Sequence, residues 1–396
     1  MSISYNKLIV YLGPFSFPNG GAAARRILGN ARAIRDAGYT VSIACGQSAD
    51  DGAISSVFEG FKVLSLGERN AEHLPRLLKH FSYVNMGAKT LAWLDSLSHP
   101  PYAVVLYSGY SPYLLRLIPW AKRNGVRLVF DAVEWYQPDS TPGYLSPYQL
   151  NIEFAMRALL PRVPNIISIS SYLHNHYTAC GCHSLIVPPL LDTAKTAHRE
   201  TGRDPSQPLK LVYAGTPGKK DLLDNIMNAV LQLRLKGLNL RLTVAGIAPT
   251  ASARYPSIQR AAPSLIENTI QFVGILSHDA SLDLVRGADF SLLLRQDARY
   301  AMAGFPTKFV ESLAVGTPVI ANLTSDLAQH LRDGETGFVC AGPSAEDLMV
   351  GLSSAAGMSA ELHATMRRAC RAHALRAFDY RIFIEPMSRF FSTAQV

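Results

Sequence analysis

Cysteine is scarce in this chain and irregularly placed. The 396 residues include five cysteines, an odd number, and only Cys180 and Cys182 lie close together. A disulfide-stapled fold needs paired cysteines, and a four-ligand zinc module needs its ligands at short, regular spacings. The sequence therefore excludes a disulfide framework and a structural zinc module, and it predicts reduced thiols.

Long apolar runs are also missing. No segment of the sequence reaches the roughly 18 uncharged apolar residues that a membrane-spanning helix requires. The N-terminal segment Met1–Asn6 contains no basic region followed by an apolar stretch, which is the pattern of a secretory leader. With neither a membrane-spanning segment nor a leader pattern in the sequence, we expect a cytoplasmic protein by default.

Dense blocks of basic residues are absent, although the chain is basic overall. The 38 Lys and Arg outnumber the 30 Asp and Glu, yet nowhere do five basic residues follow one another. The charge is spread over both halves of the chain. Such diffuse basicity suits a phosphate-bearing ligand or an anionic lipid surface better than nucleic acid. We expect no nucleic-acid partner.

What the chain does contain is a regular alternation of short apolar strands and amphipathic helices. A β-branched run at 8–12 ends at a Gly-Pro pair, a helical pattern follows through Ile27, Ala31 and Ile34, and 39–45 is again strand-like. This β-α-β unit predicts a parallel sheet covered by helices. The first half continues the pattern with predicted strands at 103–107, 127–130, 166–169 and 184–187.

The alternation is interrupted once and then restarts. Residues 192–208 are polar and free of strand patterns, which is typical of a linker. We therefore predict a first domain over 1–191 and a second over 209–375, each doubly wound, facing each other across a cleft. Ligands of such sheets bind outside the carboxyl ends of the strands. The predicted elements of the second half are strands at 210–214, 240–245, 270–273, 290–294 and 319–322 and helices at 222–236 and 308–315.

Two glycine-containing loops lie between a predicted strand and a helix. Gly20 and Gly21 precede the first helix, and the loop from Gly215 to Lys219 and Lys220 opens the second half. At such points backbone amides and a lysine can hold a phosphate. A Gly-Gly pair is more often an ordinary turn. A solvated surface loop explains the lysine loop equally well.

The densest group of candidate residues lies between Arg295 and Glu311. Arg295 ends an apolar strand, and Phe305, Pro306, Thr307 and Lys308 lead into a helix whose first amides are available to a diphosphate. Glu311 lies one turn further, where a carboxylate can accept both hydroxyls of a ribose. The alternatives are an acid that complements the helix dipole for Glu311 and a solvated side chain for Lys308.

The string FPTKFVESLAVGTPVIA at 305–321 resembles the donor-binding signature of the retaining glycosyltransferases of family 4, also described as glycosyl transferases group 1. The string DGETGF at 333–338 resembles the loop that follows it in that family. The resemblance implies an α/β GT-B fold of two Rossmann-like domains. It also implies transfer of a sugar, with retention, from a UDP- or GDP-linked donor to a hydroxyl of a glycan or lipid-linked glycan in bacterial surface polysaccharide synthesis. No cofactor is expected beyond this co-substrate.

Individual residues take roles from the resemblance. Lys220 resembles the basic residue that grips the donor diphosphate, and Glu311 resembles the second glutamate of an E-x7-E pattern that holds the ribose. Ala303 stands where the first glutamate should be. Thr216 stands where an arginine is usual, and Arg295 is a candidate substitute. The lost glutamate leaves open a silent nucleotide-sugar-binding subunit, and an epimerase of the same fold is a further alternative.

In the first domain the family often has D-x-H-E, and here Asp131, Val133 and Glu134 occupy this pattern. Glu134 is therefore predicted to face the acceptor, although both acids could equally serve as supporting or capping groups. The pair His174 and His176 is spaced so that the two side chains do not share a helix face. Because the D-x-D metal clamp is also absent from the sequence, we expect no required metal ion.

Two further expectations concern the ends of the chain. Residues 376–396 resemble the last helix that family members send back to the first domain, and the alternative is a plain capping helix of the second. The helix after Gly21 is predicted to present Arg25, Arg26, Arg32 and Arg35 away from its apolar face. These arginines predict peripheral binding at the inner leaflet of the cell membrane, with a solvated helix face as the alternative.

Overall fold

The computed structural model describes residues 7–47, 54–68, 83–108, 111–138, 145–218 and 220–396. The chain forms two compact units. The first unit comprises Met1–Leu190 together with Tyr380–Val396, and the second unit comprises Leu191–Asp379.

The first unit is built on an eight-stranded sheet. Its strands are β1 (Leu8–Gly13), β2 (Thr40–Cys45), β3 (Ile54–Phe58), β4 (Phe61–Ser65), β5 (Ala103–Tyr107), β6 (Arg127–Ala132), β7 (Asn165–Ser168) and β8 (His183–Ile186). They lie in the order β3-β4-β2-β1-β5-β6-β7-β8. All neighbours are parallel except β3 and β4. The central strand β1 is buried along its whole length, as expected for a sheet covered on both faces.

Helices cover this sheet. They are α1 (Gly21–Asp36), α2 (Ala88–Asp95), α3 (Ser111–Asn124), α4 (Pro147–Phe154), α5 (Ser171–Ala179) and, from the end of the chain, α14 (Ile384–Thr393). Ile27, Ala31 and Ile34 of α1 are fully buried, as their helical spacing predicts. Met387 and Phe391 of α14 pack in the same core cluster. The last helix is therefore part of the first unit.

The second unit contains a six-stranded, fully parallel sheet. Its strands are β9 (Leu209–Ala214), β10 (Leu240–Ala245), β11 (Ile270–Gly274), β12 (Phe290–Leu293), β13 (Val319–Asn322) and β14 (Gly337–Cys340). Their order is β11-β10-β9-β12-β13-β14, which is the doubly wound order of a Rossmann fold with its switch point between the first and fourth strands. This switch lies between β9 and β12.

The helices of the second unit are α6 (Leu223–Leu235), α7 (Pro256–Arg260), α8 (Pro263–Thr269), α9 (His278–Gly287), α10 (Arg299–Ala303), α11 (Thr307–Ala314), α12 (Ala345–Ala356) and α13 (Ala360–Ala377). The segment 192–208, predicted as a linker, is assigned to this unit. Within it Thr193 is fully buried and Arg203 nearly so. Arg203 donates to the carbonyl oxygen of Ala356 over 3.0 Å, which ties this segment to the end of α12.

No helix among the described residues is long and apolar enough to cross a membrane.

Candidate functional site

Four polar side chains of the second unit meet at the carboxyl ends of β9 and β12. The Lys308 Nζ atom lies 2.5 Å from Oδ2 of Asp221 and 2.8 Å from the Tyr213 hydroxyl oxygen. Tyr213 donates to the same Asp221 oxygen over 2.8 Å. Arg295 Nε lies 3.3 Å from the other carboxylate oxygen, Oδ1. We call Tyr213, Asp221, Arg295 and Lys308 the cation cluster.

Backbone pairing places Asp221 and Arg295 opposite each other. The two residues form an isolated antiparallel bridge, and the next residue, Leu222, donates its N–H to the carbonyl of Leu294 over 2.9 Å. Asn322, at the end of β13, accepts from the Arg295 N–H over 2.9 Å and donates to the Arg295 carbonyl over 2.8 Å. The segment just before α6 and the end of β13 thus fix the main chain around Arg295.

The electrostatics of the cation cluster follow from its burial. Burial alone would raise the pKa of Asp221, but the charges of Lys308 and Arg295 outweigh burial and lower that pKa. Burial lowers the pKa of Lys308, and Asp221 partly offsets this effect. The pKa of Tyr213 is raised, first by burial and then by the Asp221 charge. Two cations share one carboxylate, so the cluster keeps a net positive charge that suits an anionic ligand.

Gly215 brings the backbone against Lys308. Its φ is +132°, and a Cβ atom added there would lie 2.5 Å from Cε of Lys308. Gly246, with a φ of +103°, leaves similarly little room, because its added Cβ would lie 2.3 Å from the Gly215 carbonyl oxygen. A side chain at position 215 would therefore displace the lysine stem.

The helix that carries Lys308 begins at Thr307, and its N-cap residue Pro306 provides no side-chain hydrogen bond. Phe305 is buried, with its ring centroid 5.9 Å from that of Phe378.

Glu311 lies one turn into α11, and its Oε1 atom is 3.9 Å from Nδ1 of His278. An anion at this helix start would meet the positive end of the helix dipole.

The structure brings Gly215 of the glycine-containing loop together with Arg295 and Lys308 of the densest candidate group. Glu311, from the same group, lies one turn further along the helix of Lys308. Lys220 is half-buried and lies three residues before α6 begins. Lys219 lies outside the described residues. Sequence reasoning missed Asp221 and Tyr213. An acid directly after two lysines was the available signal for Asp221.

In the first unit, Gly20 is the N-cap residue of α1, and Gly21 is its first residue, with a φ of +63°. A Cβ atom on Gly20 would lie 1.8 Å from the carbonyl oxygen of Ser16. Only glycine therefore fits at position 20 without a backbone shift.

Asp131 and Arg26 form a buried ion pair, and the prediction that Arg26 lies on an exposed helix face was wrong. Arg26 Nη2 lies 2.6 Å from Asp131 Oδ1, with side chains that are 3% and 0% exposed. Tyr11 donates its hydroxyl to Asp131, and Arg26 also donates to the Val187 carbonyl over 2.8 Å. Of the other arginines of α1, Arg32 pairs with Glu59 and Arg35 with Asp36.

Glu134 lies just beyond β6 and lines an open cavity in the first unit. Its other lining residues are Ser108, Phe130, Val133, Tyr136, Ile152, Ala155 and Met156. Ser108, at the end of β5, has a φ of +50°. A left-handed backbone is strained for a residue other than glycine, and such strain concentrates at ligand-binding positions.

In the described part of the chain, no three His, Cys, Asp or Glu side chains come together in a way that could hold a metal ion. The two histidines considered as a pair make separate contacts. His174 Nδ1 lies 3.0 Å from the Ser184 hydroxyl, and the His176 ring packs 4.7 Å from that of Trp135, centroid to centroid.

Comparison with known proteins assigns the architecture. The family model described as Glycosyl transferases group 1 matches residues 194–372. Sucrose-phosphate synthase from Thermosynechococcus elongatus superposes with a TM-score of 0.75 at 14% sequence identity, covering 97% of this chain and 98% of that one. The fold is GT-B. The group 1 match lies within the second GT-B domain and contains the whole cation cluster and Glu311, whereas Gly20, Gly21 and Glu134 lie outside it.

Two more proteins are similar to this GT-B chain. Anabaena HepE, in complex with UDP and glucose, has a TM-score of 0.67 at 14% identity, with 98% of this chain and 100% of that one covered. A GDP-mannose-dependent alpha-(1-6)-phosphatidylinositol dimannoside mannosyltransferase from Mycobacterium tuberculosis is 26% identical over 222 residues, or 53% of this chain and 54% of that protein. The chain thus spans about half the length of the curated relatives it matches.

Proposed function

We propose that this chain is a retaining glycosyltransferase that moves a sugar from a nucleotide diphosphate sugar to a hydroxyl of a glycan or glycolipid. The observation that carries the proposal is the pair of cations, Lys308 and Arg295, held by Asp221 inside the group 1 match. Such a site fits the anionic diphosphate of a nucleotide, and the ribose would then lie one helical turn away, at Glu311.

The proposed chemistry is charge stabilisation. As the bond between the sugar C1 and the β-phosphate oxygen breaks, negative charge grows on the leaving diphosphate, and Lys308 and Arg295 would meet it. The acceptor oxygen bonds to C1 on the same face, and its proton passes to the leaving phosphate. This path needs neither a strong protein base nor a metal ion. Lys220 would add a further cation, and Glu134 would contact the acceptor from the cavity of the first unit.

The choice of substrates rests on the relatives. One matched relative is named as GDP-mannose-dependent and as acting on a phosphatidylinositol dimannoside, and one structural neighbour holds UDP with glucose. These names support a UDP- or GDP-linked donor and a lipid-linked glycan acceptor. A role in bacterial surface polysaccharide synthesis is proposed from the sequence resemblance.

A second candidate is a silent subunit that binds nucleotide sugars without transferring them. Ala303 stands where the family glutamate is expected, and it is fully buried at the end of α10. A carboxylate is missing at that position, so contacts to the transferred sugar must come from elsewhere. Transfer activity decides between the two candidates.

A panel of UDP- and GDP-sugars tests the proposal. A ligand that binds the native state raises the melting temperature by mass action, so we expect one donor to raise it more than its free nucleotide does. That donor should then be consumed in the presence of acceptor extract and with EDTA added. Donor binding without transfer would favour the silent subunit. Conversion of the donor without any acceptor would favour an epimerase, and no binding by any donor would contradict all three.

Glu311→Ala is expected to weaken nucleotide binding by about 1–3 kcal/mol, because two ribose hydroxyls lose their acceptor. The fold should be kept. Calorimetric titration with the nucleoside diphosphate measures the effect. Glu346→Ala is the control, since Glu346 is an acid in the first turn of a different helix of the second unit, α12. Equal affinities of the two variants would remove Glu311 from the site.

Membrane attachment stays a prediction, and the contacts of α1 weaken the argument for it. Three of the four arginines of α1 are engaged by carboxylates, which reduces the attraction of this helix for anionic lipid. Cosedimentation with anionic vesicles at low and high salt tests the prediction.

A further inference from the structure

Asp221 has both carboxylate oxygens occupied by groups from different elements of the second unit. Oδ2 accepts from Lys308 of α11 and from Tyr213 of β9, and Oδ1 accepts from Arg295, which follows β12. The Asp221 side chain is 5% exposed, against 24% for Lys308 and 11% for Arg295. The carboxylate therefore lies beneath its two cations, which retain access to solvent.

Lys308 and Arg295 carry like charges and repel each other, and Asp221 lies between them as a counter-charge. Burial lowers the pKa of Lys308, and the like charge of Arg295 nearby lowers it further. A long lysine stem also carries about 2 kcal/mol of rotamer entropy that a fixed position must overcome. Asp221 counters the lowering of the pKa because it attracts the ammonium group. It also offsets the entropy cost, since it gives the ammonium group a defined position beside the Tyr213 ring, 4.0 Å from the ring centroid.

We infer that Asp221 is a positioning residue that holds Lys308 and Arg295 together, protonated and correctly spaced, to receive the diphosphate of a nucleotide sugar. This inference rests on the proposed function. Asp221 itself does not contact the reacting atoms. Its role is exerted through the two cations.

Asp221→Asn keeps the shape of the side chain and removes its charge. We expect kcat for sugar transfer to fall about a hundredfold, as a misplacement near 1 Å can cause. The donor KM should stay within about threefold, because the remaining site is more positive and still attracts the diphosphate. Asp221→Glu restores the carboxylate and should recover part of kcat. Asp224→Asn is the control, since Asp224 accepts a backbone N–H from Ser257 in the same unit and should leave kcat unchanged.

The pH profile separates positioning from simple structural support. The charged and titratable groups that face Lys308 are Asp221, Arg295, Glu311 and Tyr213. Without Asp221 the pKa of Lys308 falls further, so the loss of kcat at alkaline pH should begin at lower pH in Asp221→Asn than in the wild type. In a Lys308→Met background the same substitution should cause no further shift of this limb and little further loss of kcat.

The outcomes distinguish the inference from the function on which it rests. If the wild type transfers no sugar from any donor, the proposed function fails. If the wild type transfers sugar and Asp221→Asn has wild-type kcat and pH profile, the inference fails and the function stands. Losses of Asp221→Asn and Lys308→Met that simply multiply in the double variant would also overturn the inference. Equal melting temperatures of the variants confirm that folding is not what changed.

Discussion

Lys308→Met is expected to lower kcat/KM for sugar transfer by roughly 10²- to 10³-fold, the usual cost of removing one preorganised group that stabilises developing charge. The variant should fold, because Asp221 retains Tyr213 and Arg295 as partners. Methionine keeps most of the volume beside Gly215, so packing is preserved. Steady-state kinetics with the donor identified by the thermal-shift panel measure the effect, with circular dichroism as the check on folding.

Lys220→Met is the matched comparison for this prediction. The sequence resemblance assigns binding of the donor diphosphate to Lys220, whereas the structure places Lys308 in the cation cluster. We expect the loss in Lys220→Met to be smaller, since Lys220 is half-buried in a loop and Lys308 is fixed between Asp221 and Tyr213. A larger loss in Lys220→Met than in Lys308→Met would return the main role to Lys220 and contradict our assignment.

Asp131→Asn is expected to destabilise the first unit by about 3–5 kcal/mol. The substitution leaves the guanidinium of Arg26 buried without its counter-charge, and an uncompensated buried charge is costly. Replacing both partners, as in Arg26→Met with Asp131→Leu, should recover part of the loss. All three tryptophans, Trp93, Trp120 and Trp135, lie in this unit. Urea unfolding followed by tryptophan fluorescence therefore reports on the first unit alone.

Glu59→Gln provides the control for the buried pair. It removes the partner of Arg32 at a position where the Glu59 side chain is 34% exposed, and surface ion pairs contribute less than about 1 kcal/mol. An Asp131→Asn variant that unfolds at the same urea concentration as Glu59→Gln would show that the buried cluster does not stabilise the unit.

Much of the fold could be predicted from the sequence, because central strands of a parallel sheet are continuous apolar runs. The predicted strands at 103–107, 240–245 and 319–322 have the bounds that the structure gives. The antiparallel edge formed by β3 and β4 was not predicted. Edge strands are covered on fewer sides, so polar residues such as Ser55 and Ser56 interrupt the apolar pattern there.

The sequence could not predict which polar side chains meet. Asp221 is 74 residues from Arg295 and 87 from Lys308, and only the order of the strands brings these positions together. The same limitation explains the error at Arg26. A charged residue in an amphipathic helix predicts exposure, unless an acid 105 positions away arrives beneath it, as Asp131 does.

The discontinuous composition of the first unit has a consequence for synthesis of the chain on the ribosome. Met387 and Phe391 belong to the same core as Ile9 and Ile27, and both are fully buried there. That core cannot be completed before Met387 and Phe391 have been translated. The second unit, although it comes later in the sequence, has every residue of its own core available first. Domains usually fold in N-terminal order during synthesis, and here the order of completion is reversed.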